Sequence, residues 1–238
     1  MEARFSIKEV YSTSWKSLKE QIWVIVGIYI AFAIVSSVLS LVLMPAQTSS
    51  KVGSIIITVV TVIISLIFTL GFMKNLFQAL DGEEPQFSAY GKQAHKILTL
   101  FVASLIYAIV VTIGLCIIIV PGIYLALRLQ FFQAAIVEED AGITSSLRRS
   151  WSITKGEVMH LFLLFLLQIA ITIIGLCILI VGIFVAAPLV NMIQCATFRR
   201  LIVPVETQTA ETVEAPAEEP VVEQTPESSE ESYMRKEE

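Results

Sequence analysis

Charge is scarce in this chain. Asp, Glu, Lys and Arg make up 16% of its 238 residues, and no Asp or Glu falls inside any of its long apolar runs. Histidine occurs only as His95 and His160, which stand apart without carboxylate or thiol companions at ligand spacing, so neither a metal centre nor a general base is indicated. The three cysteines, Cys116, Cys177 and Cys195, form no C-x-x-C pair and sit in apolar runs, where they read as buried small hydrophobes. There is no glycine-rich phosphate loop, no nucleophile elbow and no histidine-containing zinc motif. No catalytic residue, cofactor or nucleic-acid partner is expected, and the chain reads as a non-enzyme.

Hydrophobic residues, in contrast, supply 55% of the chain, and the mean hydropathy is +0.78. The net charge of −5 averages two unlike parts. From Val203 onward there are eleven Glu against Arg235 and Lys236, with Pro, Thr, Ala and Val between them. That composition cannot bury a core, so residues 203–238 read as a disordered acidic tail. Residues 1–202 hold 14 Lys and Arg against ten Asp and Glu, a mildly basic balance suited to anionic lipid headgroups.

A hydrocarbon layer of about 30 Å needs roughly 20 apolar residues per helix. Gln21–Met44 and Val52–Met73 satisfy this directly, with a turn from Pro45 to Lys51. The first of these reads as a signal-anchor and not as a cleavable signal peptide. Ile97–Val137 is far too long for one crossing, and Pro121-Gly122 marks a turn that divides it into 97–120 and 123–137. Leu161–Phe198 divides near Gly182 into 161–181 and 183–198, Pro188 being able to kink a helix without ending it. Six spans follow. Twelve Lys and Arg then fall on the side of both termini and only Lys51 on the other, which places the termini in the cytoplasm.

The chain also repeats itself. Ile113–Val120 matches Ile174–Val181 at seven of eight positions, 61 residues apart. At the same offset Tyr90 aligns with Trp151, and Gln130/Gln133 with Asn191/Gln194. A looser first copy runs from Trp15 to Asn75/Gln78. The expected architecture is an all-α, polytopic transmembrane bundle of three helical-hairpin repeats, which must stack because none buries its own faces. Each repeat opens with a short amphipathic helix at the headgroup level. Trp15, Tyr90 and Trp151 are its interfacial anchors, with Ile7, Tyr11, Trp15 and Leu18 forming one apolar face and Ile143, Leu147 and Trp151 another.

The polar residues inside the spans are few enough to name. Arg128 is the one intramembrane charge: a candidate contact for an anion or lipid phosphate, or else a side chain that pairs with carbonyls or snorkels outward from a tilted helix. Asn75/Gln78, Gln130/Gln133 and Asn191/Gln194 each share a helix face and are expected to join in one interhelical amide network. Glu138-Glu139-Asp140 and Asp81-Gly-Glu-Glu84 read as solvated, helix-capping clusters.

Val120-Pro-Gly-Ile-Tyr-Leu-Ala-Leu-Arg128, Ile136-Val-Glu-Glu-Asp-Ala-Gly142, Ser146-Leu-Arg-Arg-Ser-Trp151 and Thr154-Lys-Gly156 resemble a large family of bacterial six-helix membrane proteins. Asp81-Gly-Glu-Glu-Pro-Gln-Phe87 is similar to that family's loop after the second span. Its relatives include the membrane domain fused to some glycerophosphodiester phosphodiesterases. The resemblance implies a plasma-membrane helical bundle without an assigned activity. In the fused enzymes catalysis belongs to a soluble barrel that this sequence lacks. Three functions are therefore in view. The first is a non-enzymatic scaffold, sensor or modulator of the envelope, with membrane lipids and a membrane protein as its partners. The others are a small transporter or channel for anionic or lipid-like solutes, and an accessory subunit of a phosphodiester-lipid enzyme.

Overall fold

Ten helices carry the chain in a computed structural model, which describes residues 5–178 and 180–203. The expected acidic tail lies outside the described residues from 204 onward. Among the described residues there is no strand. The first unit consists of α1 (Ile7–Glu20), α2 (Ile22–Ser49) and α3 (Lys51–Leu80). In the second, α4 (Ser88–Gln93) runs through a 3-10 turn into α5 (Ile97–Ile117), which returns as α6 (Ile119–Leu129) and α7 (Phe132–Glu138). The third holds α8 (Ile143–Ile153), α9 (Val158–Cys177) and α10 (Ile180–Ile202). Short helix, outgoing helix and returning helix thus recur three times. Six of these segments are long and apolar enough to cross a membrane, α6 and α7 counting together as one. The chain is a multi-pass membrane protein.

The turns at the end away from the termini are tighter than the sequence suggested. Helix α2 continues through Pro45 to Ser49, because a proline in a membrane helix removes one hydrogen bond without ending the helix. The expected seven-residue turn shrinks to Ser50, whose hydroxyl caps α3 by accepting from the Gly53 amide at 2.9 Å. The break expected at Pro121-Gly122 lies instead at Ile118, which is extended (φ −155°, ψ 139°). Pro121 falls in the first turn of α6, where a helix has no intrahelical use for the missing N–H. The last break precedes Gly182, which lies inside α10.

The repeated Gly-Leu-Cys now has a physical reason. A Cβ on Gly175 would lie 2.6 Å from that of Ala186 and 3.0 Å from the Gly182 carbonyl oxygen, and one on Gly114 would lie 3.0 Å from the Gly122 Cα. Each pair lets two antiparallel helices touch along their backbones. The cysteines beside them are exposed, contrary to expectation, and only Cys195 is buried.

The core gathers at the end where α3, α7 and α10 finish. Leu76, Phe131 and Met192, equivalent positions of the three returning helices, are each fully buried, as are the small residues Ala79, Ala134 and Cys195. The short helices α1 and α8 pack through a seam different from the one expected. Val10, Ser14 and Leu18 face inward on α1, and Ser146, Ser150 and Ile153 on α8. Trp15 and Trp151 flank these seams, each 40% exposed. The apolar face is divided, one edge for the bundle and one for lipid. Gly156, with φ +91°, then turns the chain into α9. Tyr90 differs from the two tryptophans: its ring packs inward on Gly71 and Phe68 and is no exposed anchor.

Gly175→Val forces the α9–α10 hairpin apart. It is expected to lower stability by about 1–3 kcal/mol, read as the loss of melting temperature of the purified protein in nanodiscs.

Candidate functional site

The fourth span is bent at Gln130-Phe131, between α6 and α7, with neither proline nor glycine at the bend. A side chain from α8 accounts for it. The Ser150 hydroxyl donates to the Arg128 carbonyl at 2.8 Å and accepts from the Phe131 amide at 3.1 Å, entering the helical ladder. The Gln130 carbonyl accepts from Gln194 Nε2 on α10 at 3.3 Å. The backbone groups released by the bend are thus satisfied from two neighbouring elements, as hydrocarbon requires.

Arg128 belongs to this junction. Its guanidinium lies 4.2 Å from the Trp151 ring centroid and 5.7 Å from that of Tyr124, and it donates through Nη2 to the Trp151 carbonyl at 2.8 Å. Only 5% of the residue is exposed. Stacking on aromatic faces and bonding to a carbonyl meet its charge inside the protein, while its Nε is buried without a hydrogen-bond partner. One of its expected contacts, a carbonyl partner, is present.

The three amide pairs do not meet in one network. Asn75 accepts from the Gln86 amide at 3.3 Å and Gln78 reaches Glu83 at 3.5 Å, so the first pair secures the loop after α3. Asn191 donates to the Ala187 carbonyl of its own helix at 2.9 Å. Gln133 lies half-buried on α7. Gln130 and Gln194 do come together, and a residue that sequence reasoning missed joins them: Gln168, in the middle of α9. These three amides line a cavity of about 380 Å³ between α5, α6, α9 and α10. The Nε2 groups of Gln130 and Gln168 are buried without a hydrogen-bond partner. Gln168 could have been found as the one amide in an apolar run of 38 residues that also lies on no repeated pair.

Beyond this cavity, towards the termini, lies a layer of ion pairs. Glu138 at the end of α7 bonds Lys74 of α3 at 3.3 Å and Arg199 of α10 at 2.7 Å, so one carboxylate ties all three returning helices. Arg199 also holds Asp81 through both ends of its guanidinium. Lys96 is buried, donates to the Ile136 and Val137 carbonyls at 3.0 and 3.3 Å, and pairs with Asp140. Arg149 forks onto Glu139, and Arg200 pairs with Glu9 at 2.6 Å. Glu138, Glu139 and Asp140 are therefore cross-links as well; Glu139 and Asp140 are exposed, as expected of solvated residues, while Glu138 is half-buried. Desolvated helix ends carrying Lys and Arg require those partners. Among the described residues no group of His, Cys, Asp and Glu could hold a metal ion.

Residues 88–225 match a domain of unknown function, DUF7847. The chain belongs to that family. No curated protein and no solved structure matches it. The matched region opens at α4, the start of the second unit, and so contains both halves of the glutamine cavity. Its family description names no activity, and the expected kinship with phosphodiesterases gains no support from it.

The hydrogen bond from Arg199 holds the Asp81 carboxyl below its ordinary value of 3.8; partial burial opposes this, and the charges of Arg199 and Lys74 add to it. A depressed folded-state value means that Asp81 contributes stability above pH 3.8, lost as pH falls through the lower value. Melting temperatures between about pH 6 and about pH 3 should therefore fall less steeply for Asp81→Asn than for the parent chain.

Proposed function

We propose that this chain is a multi-pass protein of the plasma membrane, both termini cytoplasmic, that acts without catalysis as a scaffold, sensor or modulator of the envelope. The observation that carries this reading is the filled axis. Phe77, Phe131 and Phe198, one from each returning helix or its bend, are fully buried and lie edge to face or tilted at 6.2 and 6.3 Å. The Glu138 hub lies just beyond them on the terminal side. These three buried rings fill the space where the returning helices meet. The functional surfaces are then lateral: the lipid-facing tryptophans of α1 and α8, the basic rim, and the glutamine cavity. A transporter or channel is the second reading, favoured by the bend in the fourth span beside that cavity, since transporters bind at broken helices.

Two measurements test this proposal. On a background lacking the native cysteines, Ser50→Cys should react with a membrane-impermeant maleimide in intact cells, and Lys155→Cys only after permeabilisation. The reverse pattern would invert the topology. Proteoliposomes containing the full chain should move chloride and phosphate no faster than protein-free vesicles, whereas sustained Arg128-dependent uptake would overturn the non-transport role.

A further inference from the structure

The glutamine cavity holds more polar capacity than the protein uses. Gln168 lies ten residues beyond Val158, at about 15 Å along α9, half the thickness of a hydrocarbon layer of about 30 Å. It is only 9% exposed. A donor buried at that depth without an acceptor is costly, because no water is present to replace the missing bond. Gln130 Nε2 faces the same cavity in the same state, while Gln194 spends its amide on the Gln130 carbonyl. Two unpaired donors therefore converge on one space with apolar walls.

We propose that this cavity is a binding site for an uncharged, largely apolar molecule carrying carbonyl oxygens. The inference rests on the reading that lipid surrounds the helices. Each element of that description follows from the lining. The two donors ask for acceptors, which carbonyl oxygens supply. No charged side chain lines the cavity, so a charged ligand would enter unpaired. Arg128, two residues before Gln130, stacks on Trp151 and is not part of the lining. A volume of about 380 Å³ suits a single ring or a short acyl segment, near the lower end of the usual range of about 300–1,000 Å³. Leu115 and Phe165 form part of the lining and are 43% and 38% exposed, so the mouth opens sideways into the bilayer. The ligand arrives from the membrane and not from water. Two membrane molecules share this chemistry: the head of an isoprenoid quinone, and the ester region of an acylglycerol.

The test is a titration of the full chain in nanodiscs with ubiquinone-1 in one arm and 1,2-dioctanoylglycerol in the other, read by native mass spectrometry. Saturable occupancy of one molecule per chain is expected in one arm, and that arm identifies the source. Gln168→Leu and Gln130→Leu should each weaken it by about tenfold. Ala126→Phe, which fills the cavity and leaves the amides in place, should abolish it. Melting temperatures report folding of each variant, and the Gln→Leu changes should not lower them, since they remove an unpaired donor. No saturable occupancy in either arm, or occupancy indifferent to the three substitutions, overturns the site. That failure would leave the non-transport role standing, and solute flux would overturn that role without touching the titration.

Discussion

In hydrocarbon, a helix that is interrupted must have its freed backbone groups satisfied by the protein itself. Here that obligation falls on Ser150. Its single hydroxyl gives to the Arg128 carbonyl and takes from the Phe131 amide, so α8 meets the backbone groups on both sides of the bend in the fourth span. The docking in turn fixes Trp151 beneath the Arg128 guanidinium and beside Tyr124. Arg128 thereby stays in a membrane helix, its charge met by an aromatic face and a carbonyl. The bend also turns the Gln130 carbonyl towards Gln194 and opens the space that Gln168 completes. One hydroxyl links an interfacial helix, a buried cation and a cavity.

The two ends of the bundle solve different problems. At the terminal end the helices supply many polar groups, and Glu9, Asp81, Glu138 and Glu139 each take a basic partner from another unit. Glu138 reaches two other returning helices, and Lys96 reaches the last turn of α7 through two backbone carbonyls. At the other end there is almost no polar group to pair, and the helices need only touch. Gly114 against Gly122 and Gly175 against Gly182 accomplish this without side chains. The exposed apolar residues of α2 and of the first half of α3 are the consequence, since lipid covers them at no cost.

Much of this was legible in the sequence for reasons of physics. A long run without charge has one stable environment, so the all-α bundle and its six long helices could be read from composition and length. The repeat was visible because Gly-Leu-Cys serves the same close approach twice. What escaped was anything decided by a partner from a distant element. Pro121 looks like a turn, but the first turn of a helix accommodates it equally well. The apolar face of α1 includes Trp15, yet the bundle took the smaller seam through Ser14 and left the tryptophan to lipid. The acidic triplet from Glu138 carries no sign in the sequence that Lys74, Arg199, Arg149 and Lys96 reach it from four other elements.

Gln168 shows why a repeat can hide a site as readily as it reveals a fold. Counting back 61 residues, its equivalent in the second unit is Tyr107, and both side chains line the same cavity. Tyr107 stacks on Phe132 at 5.2 Å and so closes its own share of the space. In the third unit the glutamine carries an amide where the second has a ring, and that amide finds no partner. Symmetry between units would fill both positions with similar packing. The departure from symmetry leaves a polar group facing a void at mid-membrane depth. Internal duplication supplies the scaffold, and the position where the copies differ is where the chain has room for something other than itself.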